Sequence, residues 1–177
     1  GPSDASVWQN IQQANVAWVA PVGAGLTLEG GVFLSPIGPE SIPIKDQWNW
    51  SRSDLFFALP FYHAGVRATY PITSCWTVSV QLYNGWNSVT DRNTELSPAI
   101  IATYTLPKRL TWQTLYFGGD ERPGGAPEGT PWRYLCDTYA NVTVTSALAM
   151  LAHADAGFEN NRFGTSGWYA GALSARL

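Results

Sequence analysis

The stretch RSDLFFALPFYHAGVRATYP, residues 52–71, combines two patterns that suit different environments. Its first half is an apolar run from Leu55 to Phe61. Its second half, from His63 to Tyr70, alternates, so that a histidine and an arginine share one face of a strand while apolar side chains occupy the other. Such a strand fits a sheet with one wet face and one apolar face, and the apolar run before it needs a separate explanation.

The composition is rich in aromatic residues and poor in charge. Of the 177 residues, 14% are aromatic and 13% are charged, with nine Trp, 17 Gly and 12 Pro. Charged residues make up about 25% of an average globular protein, so this is the profile of an unusual, β-rich chain. The net charge is −3 and the basic residues are scattered, which excludes nucleic-acid binding. No stretch reaches the roughly 18 consecutive apolar residues of a transmembrane helix, whereas membrane-spanning β-strands remain compatible with the sequence.

Period-two alternation recurs along the chain and predicts nine strands. Short connections at 21–25, 72–75, 106–109 and 145–147 alternate with long ones at 35–61, 84–97, 118–131 and 155–164. This alternation is typical of outer-membrane barrels, which have tight turns at one end and long loops at the other. We therefore predict an all-β fold, a transmembrane antiparallel β-barrel in which each strand pairs with its sequence neighbour. The strands are expected within 8–20, 26–34, 64–70, 77–82, 100–106, 109–118, 136–144, 148–155 and 165–177.

The alternation also assigns a face to each strand residue. In a membrane barrel the apolar face meets lipid and the polar face lines a wet lumen. Even-numbered residues between His63 and Leu106 are therefore predicted to face lipid, and His63 and Arg67 to be hydrated. Charges of both signs fall on the lumen face, which indicates modest selectivity. The predicted pore-lining residues are Glu29, Arg52, Asp54, His63, Arg67, Gln81, Arg133, Asp137, His153 and Asp155.

Aromatic residues concentrate near the ends of the predicted strands. Amphipathic rings at both ends would form the two girdles that mark the membrane interfaces of a barrel. Ordinary core and edge aromatics are the alternative. The predicted girdle residues are Trp18, Tyr70, Trp76 and Trp112 near short turns, and Trp86, Tyr116, Tyr134 and Trp168 near long loops.

The apolar run lies in the long connection 35–61. Ser51-x-x-Asp54 resembles a helix capping box, and Pro60 ends the run, which predicts a short helix near 52–59. A further membrane strand is the alternative, but Pro60 and the lack of a turn before His63 leave no room for a hairpin. An apolar helix is unfavourable in water, so we predict that this loop folds inward and narrows the channel.

The sequence offers little support for catalysis or metal binding. Glu29, His63, His153 and Asp155 are suitable residue types, but HExxH, GxSxG, P-loop and dinucleotide-binding patterns are absent. We therefore expect no enzymatic activity, no metal and no cofactor. The polar stretches 91–95 and 159–162 are interpreted as solvated loop tips rather than Ca²⁺ sites. Cys75 and Cys136 form no CxxC pair, and whether they pair is left open.

Four stretches carry a family resemblance: GVFLSPIGPESIP (31–43), NWSRSDLFFALPFYHAGVRATY (49–70), NGWN (84–87) and GWYAGALSAR (167–176). They resemble the OmpL-like β-barrel porins of the outer membrane of Gram-negative bacteria. The first two stretches also resemble, more distantly, the phosphate-selective porins, in which a comparable loop folds into the pore. The resemblance implies a passive channel for small hydrophilic solutes or ions, with the lipid bilayer as its partner and homo-oligomer formation left open.

Two features depart from the pattern of that family. Nine strands is an odd number for a bacterial barrel, and the chain ends at Arg176-Leu177 without a terminal aromatic residue. Residues 1–177 are therefore predicted to be one incomplete β-barrel domain, a fragment of a larger barrel. Two other functions stay open at this point. One is a secreted carbohydrate-binding β-sandwich, which would share the short strands and aromatic residues. The other is a non-conducting barrel that acts as an adhesin.

Overall fold

A computed structural model describes residues 11–91 and 93–177, without the side chain of Asp46. Nine antiparallel strands form one sheet in sequence order, each paired with its neighbour along the chain. This arrangement confirms the predicted all-β meander. The sheet is not closed, since the described β1 and β9 lie at its two edges. The strands are β1 (Ala14–Ala20), β2 (Leu26–Leu34), β3 (Tyr62–Pro71), β4 (Trp76–Tyr83), β5 (Ser97–Leu106), β6 (Leu110–Asp120), β7 (Trp132–Thr143), β8 (Ala149–Asn161) and β9 (Gly164–Arg176).

The two faces of the sheet differ as the alternation predicts. On the outer face Val66, Val80 and Ile100 expose 56%, 54% and 48% of their surface. The odd-numbered neighbours of the latter two, such as Gln81 and Ile101, point inward and are buried. The even-numbered residue Ala64 is an exception to the predicted exposure. It lies opposite Val32 on the neighbouring strand, and both residues are buried.

The inner face carries a packed apolar core instead of a uniformly wet surface. Phe33 of β2 and Leu135 of β7 belong to the same cluster although four strands separate them, so the sheet is strongly curved. Aromatic rings from several strands fill the centre, with Tyr83 of β4 and Phe117 of β6 stacked at 6.3 Å between centroids. The cluster comprises Phe33, Ile37, Leu59, Tyr83, Ala99, Ile101, Leu115, Phe117 and Leu135.

The connection between β2 and β3 contributes two residues to this core. Ile37 and Leu59, near its two ends, pack in the same cluster as the inner strand residues. The Gln113 amide on β6 donates a hydrogen bond to the Pro36 carbonyl at 2.8 Å. A short 3₁₀ helix, Ile44–Asp46, and an α-helix, α1 (Asp54–Ala58), lie between these anchors. The ends of the loop thus lie against the concave face of the sheet.

Helix α1 is shorter than the sequence predicts. Its N-cap is Ser53, whose hydroxyl accepts a hydrogen bond from the Phe56 N–H, so the capping box at Ser51 was the wrong assignment. The Glu40 carboxylate accepts a hydrogen bond from the Ser53 N–H at 3.0 Å and ties the start of the helix to the earlier part of the loop. Phe56 is buried and stacks on Phe61 at 4.9 Å, whereas Phe57 is exposed rather than packed on the wall.

One expected long connection is a tight turn. Strand β8 continues to Asn161, which pairs with Gly164 at the start of β9, so 162 and 163 alone form the turn. Gly164 has a φ of 131°, which glycine adopts without strain. In β8 the odd-numbered residues, such as Asp155, face inward, and Asp155 lies opposite the even-numbered Ala170 in the register. In β9 the even-numbered residues therefore face inward.

The fold also excludes one of the functions that the sequence left open. A carbohydrate-binding β-sandwich requires two packed sheets, whereas the described strands form one. That alternative was wrong. Cys75 and Cys136 form no disulfide.

None of the described helices is both long and apolar enough to span a membrane.

Candidate functional site

An open cavity of about 550 Å³ lies on the inner face, between α1 and the last three strands. Its wall combines two tryptophan rings with charged groups of both signs. Trp86 and Trp168 also pack against the apolar core, so the cavity lies directly beside that core. The lining residues are Asp54, Leu55, Ala58, Trp86, Arg122, Arg133, Asp155, Glu159, Ser166, Trp168, Tyr169 and Ala170.

Two arginines share one buried glutamate in the wall of this cavity. The Glu159 carboxylate accepts hydrogen bonds from Arg122 Nη2 at 2.8 Å and from Arg133 Nη2 at 2.9 Å. The hydrogen bond to Glu159 raises the pKa of Arg122 above its ordinary value. The Arg133 guanidinium also lies 5.3 Å from the centroid of the Trp86 ring. Arg122 Nη1 also lies 3.4 Å from Glu128 Oε1, so two carboxylates balance the two arginines. Arg122, Glu159 and Arg133 are called the Arg–Glu–Arg cluster, and they place charges of both signs on one side of the cavity.

Three further titratable side chains meet on β7 and β8 and form the β7–β8 cluster: Asp137, His153 and Asp155. His153 Nε2 donates a hydrogen bond to Asp137 Oδ2 at 2.6 Å. The second oxygen of Asp137 accepts the Gly38 N–H from the β2–β3 loop at 3.1 Å. Asp155 lies directly opposite Asp137 in the strand register and is buried, yet neither of its oxygens has a hydrogen-bond partner among the described residues.

A further charged group, a pair, lies on β2 and β3, away from the cavity, and contacts the inner core through Phe33. Arg67 Nε donates a hydrogen bond to Glu29 Oε2 at 2.6 Å across β2 and β3. The Arg67 guanidinium also covers the Phe33 ring, 4.4 Å from its centroid. These two predicted pore-lining residues are therefore partners, and neither lines the 550 Å³ cavity.

The predicted pore-lining residues differ in whether they line the cavity or are buried in the core. Asp54, Arg133 and Asp155 line the cavity, whereas the remaining strand residues lie elsewhere on the inner face. The expected hydration of His63 was wrong, because its ring has no exposed surface and stacks on Tyr83 at 4.0 Å. Its Nδ1 donates a hydrogen bond to the Gly85 carbonyl at 3.1 Å.

Arg52 was predicted to line the pore, and the contacts found for it lie within its own loop. Its guanidinium donates hydrogen bonds to the carbonyl groups of Ser41 and Ile42. It also lies 4.9 Å from the centroid of the Phe56 ring. Arg52 therefore connects the two halves of the loop, the segment at Ser41 and Ile42 and helix α1. Whether it also lines a conducting lumen stays a prediction.

Glu159 and Arg122 are site residues that the sequence analysis missed. Glu159 was placed in the loop tip 159–162, and Arg122 in the long connection 118–131. The alternation that assigns His153 and Asp155 to the inner face extends to Glu159 and would have identified it. Arg122 follows the end of β6 and carries no periodic signal, so its contact with Glu159 required the structure.

Two of the predicted girdle residues pack inside the sheet, and four of the others contact neighbouring rings. At the short-turn end Trp76 contacts Tyr104 and Trp112, with ring centroids 5.0 Å and 5.9 Å apart. At the loop end Tyr116 and Tyr134 stack at 6.3 Å. Trp86 and Trp168 were wrongly assigned to a girdle, because both pack against the inner core and line the cavity. The position of the other rings relative to a membrane stays a prediction.

Glu121 joins the connection between β4 and β5 to the end of β6. Its carboxylate accepts hydrogen bonds from the Ser97 hydroxyl at 2.7 Å and from the Trp86 N–H. Burial raises the pKa of the Glu121 carboxyl above its ordinary value of 4.5, although these two hydrogen bonds oppose that effect. The folded protein therefore holds this proton more tightly than the unfolded chain does.

This difference predicts a pH-dependent stability. The stability that protonated Glu121 provides is present below the ordinary pKa of 4.5 and is lost as the pH rises through the raised value. Since glutamine does not ionise, Glu121→Gln should become more stable relative to wild type as the pH increases from about 4 to about 8. Urea unfolding at both pH values measures this change, with exposed Glu95→Gln as the control. A difference that stays constant with pH would contradict the prediction.

The chain matches one family model, described as "Putative beta-barrel porin-2, OmpL-like", over residues 2–177. The match covers nearly the whole chain and confirms the resemblance inferred from the four sequence stretches. No curated protein and no solved structure matches the chain.

Proposed function

Because the chain belongs to the family of OmpL-like β-barrel porins, we propose that it forms a passive channel for small hydrophilic solutes and ions. The channel lies in the outer membrane of a Gram-negative bacterium, with the lipid bilayer as its partner and no catalytic activity. The four observations that support this proposal are the family, the single antiparallel sheet, an apolar outer face and a charged inner cavity.

The outer face carries most of the argument. Val66 lies opposite Leu82 in the strand register, and Val80 lies opposite Ile100, so four exposed aliphatic side chains adjoin one another across β3, β4 and β5. Water-soluble proteins rarely leave such a continuous apolar surface uncovered. In a bilayer the same surface is favourable, because lipid chains replace water around it.

The inner face supports a channel of modest selectivity. The Arg–Glu–Arg cluster brings charges of both signs to the cavity, while Asp54 and Asp155 bring negative charge to other parts of the wall. A lining with both signs presents no uniform barrier to either cations or anions. Small hydrophilic solutes of either charge are therefore the proposed cargo.

Planar-bilayer recording tests the conduction. The full-length protein, refolded into detergent and added to a bilayer, should produce discrete conductance steps without an energy source. The same preparation after heat denaturation is the control. Folded protein that inserts into the bilayer and conducts no ions would refute the channel and favour the adhesin alternative.

A charge on the outer face tests the position of the sheet in lipid. Val80→Arg should lower the free energy of unfolding from liposomes by about 2–4 kcal/mol, because Val80 lies in the middle of an outward-facing strand. Thr94→Arg, in an exposed connection, is the control and should change stability by less than about 0.5 kcal/mol. Urea titration of both variants measures the difference. Equal costs would place the outer face in water.

A further inference from the structure

The β7–β8 cluster has the ligand set of a metal site. Asp137, His153 and Asp155 each offer one ligand atom, and these atoms lie within 4.8 Å of one another. The strand register produces this grouping, since Asp137 lies directly opposite Asp155, and His153 precedes Asp155 by two positions on the same face. All three side chains are buried.

Asp155 is the observation that points to a bound ion. Asp155 is 4% exposed, and neither of its carboxylate oxygens accepts a hydrogen bond from the described residues. A buried carboxylate without a partner is costly, and a second carboxylate directly opposite adds repulsion. The arginines of the cavity wall, Arg122 and Arg133, are already paired with Glu159. Within the cluster His153 is bonded to Asp137, so no described group donates a hydrogen bond to Asp155.

We propose that the β7–β8 cluster binds a divalent transition-metal ion such as Zn²⁺. One imidazole nitrogen of His153 and one oxygen from each of Asp137 and Asp155 would be the ligands, with a fourth position for water. Nitrogen and carboxylate ligands together suit Zn²⁺ and its neighbours in the first transition row, whereas Ca²⁺ and Mg²⁺ prefer oxygen ligands alone. A metal on His153 Nε2 takes the place of the proton that this nitrogen shares with Asp137, and in a neutral imidazole that proton moves to Nδ1.

The surroundings of the cluster support this assignment. Asp155 lines the 550 Å³ cavity, which gives an ion a path from solvent. The Gly38 N–H holds Asp137 Oδ1 and leaves Oδ2 directed toward His153, as an outer-shell donor does in known metal sites. A Cβ on Gly38 would lie 3.3 Å from His153 Cε1, so glycine allows this close approach of the loop. A bound metal would thus join the loop to the wall of the channel.

Metal binding is measured on the untagged full-length protein with Cys75→Ser and Cys136→Ser, so that no thiol competes. After treatment with a chelator, Zn²⁺ titration calorimetry should give one ion per chain, and Co²⁺ should give visible absorption bands. Asp155→Asn should weaken Zn²⁺ binding at least about ten-fold, since loss of a ligand costs no less than loss of an outer-shell partner. His63→Gln, which changes the other histidine of the chain, should bind Zn²⁺ like the parent.

Stability supplies a second readout that does not depend on conduction. Zn²⁺ should raise the urea midpoint of the parent protein and leave that of Asp155→Asn unchanged. Without metal, Asp155→Asn should be more stable than the parent, because the substitution removes one of two facing carboxylates and breaks no hydrogen bond. Failure of the parent to bind either Zn²⁺ or Co²⁺ would overturn the proposal. Equal Zn²⁺ affinity of the parent and Asp155→Asn would overturn it as well.

Discussion

Phe117→Ala is expected to lower the free energy of unfolding by about 3–5 kcal/mol, the usual cost of removing a buried aromatic side chain. The Phe117 ring is fully buried on the inner face of β6. It contacts Tyr83, Trp86 and His63, with ring centroids 6.3 Å, 5.7 Å and 6.1 Å away. These rings come from different strands and a loop, so the cavity left by alanine cannot close easily.

Urea unfolding of the protein in liposomes measures this effect. Phe163→Ala makes the same chemical change in the exposed turn between β8 and β9 and should change stability by less than about 0.5 kcal/mol. A small and equal effect of the two substitutions would mean that water, rather than packed side chains, surrounds Phe117. The expected contrast thus tests whether this part of the inner face is a core or an open lumen.

Shortening the β2–β3 loop should raise the conductance of the proposed channel about two-fold or more, because the narrowest section of a pore limits ion flow. Because Leu59 packs in the core, the design replaces Ile44 to Ala58 with a short Gly/Ser linker and keeps Leu59. Single-channel recording in a planar bilayer measures the result.

The control for this design shortens a different loop. Removal of Gly124 and Gly125, which lie in an exposed tip between β6 and β7, should leave the conductance unchanged. Both variants must first give the circular dichroism spectrum of a folded β protein. An unchanged conductance after replacement of Ile44 to Ala58 would show that the loop does not restrict the lumen.

The sequence predicts the strands well because side chains on opposite faces of a strand differ in polarity along much of the chain. The alternation of Val66 and Val80 with Arg67, Ser79 and Gln81 identifies two strands and their outer face. The same reasoning failed at the end of β8, where Asn160 and Asn161 suggested a loop. The alternation continues through Glu159, and only the pairing with β9 shows that the strand extends to Asn161.

The candidate site was less accessible to sequence reasoning, because alternation assigns a face and carries no information on depth. His63 and Asp54 both received an inward position, yet His63 is buried under Tyr83 while Asp54 lines the cavity. The β7–β8 cluster depends on which residue of β7 lies opposite Asp155. A shift of the register by two residues would leave every side chain on its face and separate Asp137 from its partners.

The order of strands has a consequence for how the protein folds. Every described strand pairs with its sequence neighbour, so the sheet can grow one hairpin at a time. The β2–β3 loop is different, because its hydrogen bonds Gly38–Asp137 and Gln113–Pro36 join residues 99 and 77 positions apart. Docking of the loop must wait until β6 and β7 have formed. The curved sheet is therefore assembled first, and the loop closes over its concave face as a late folding step.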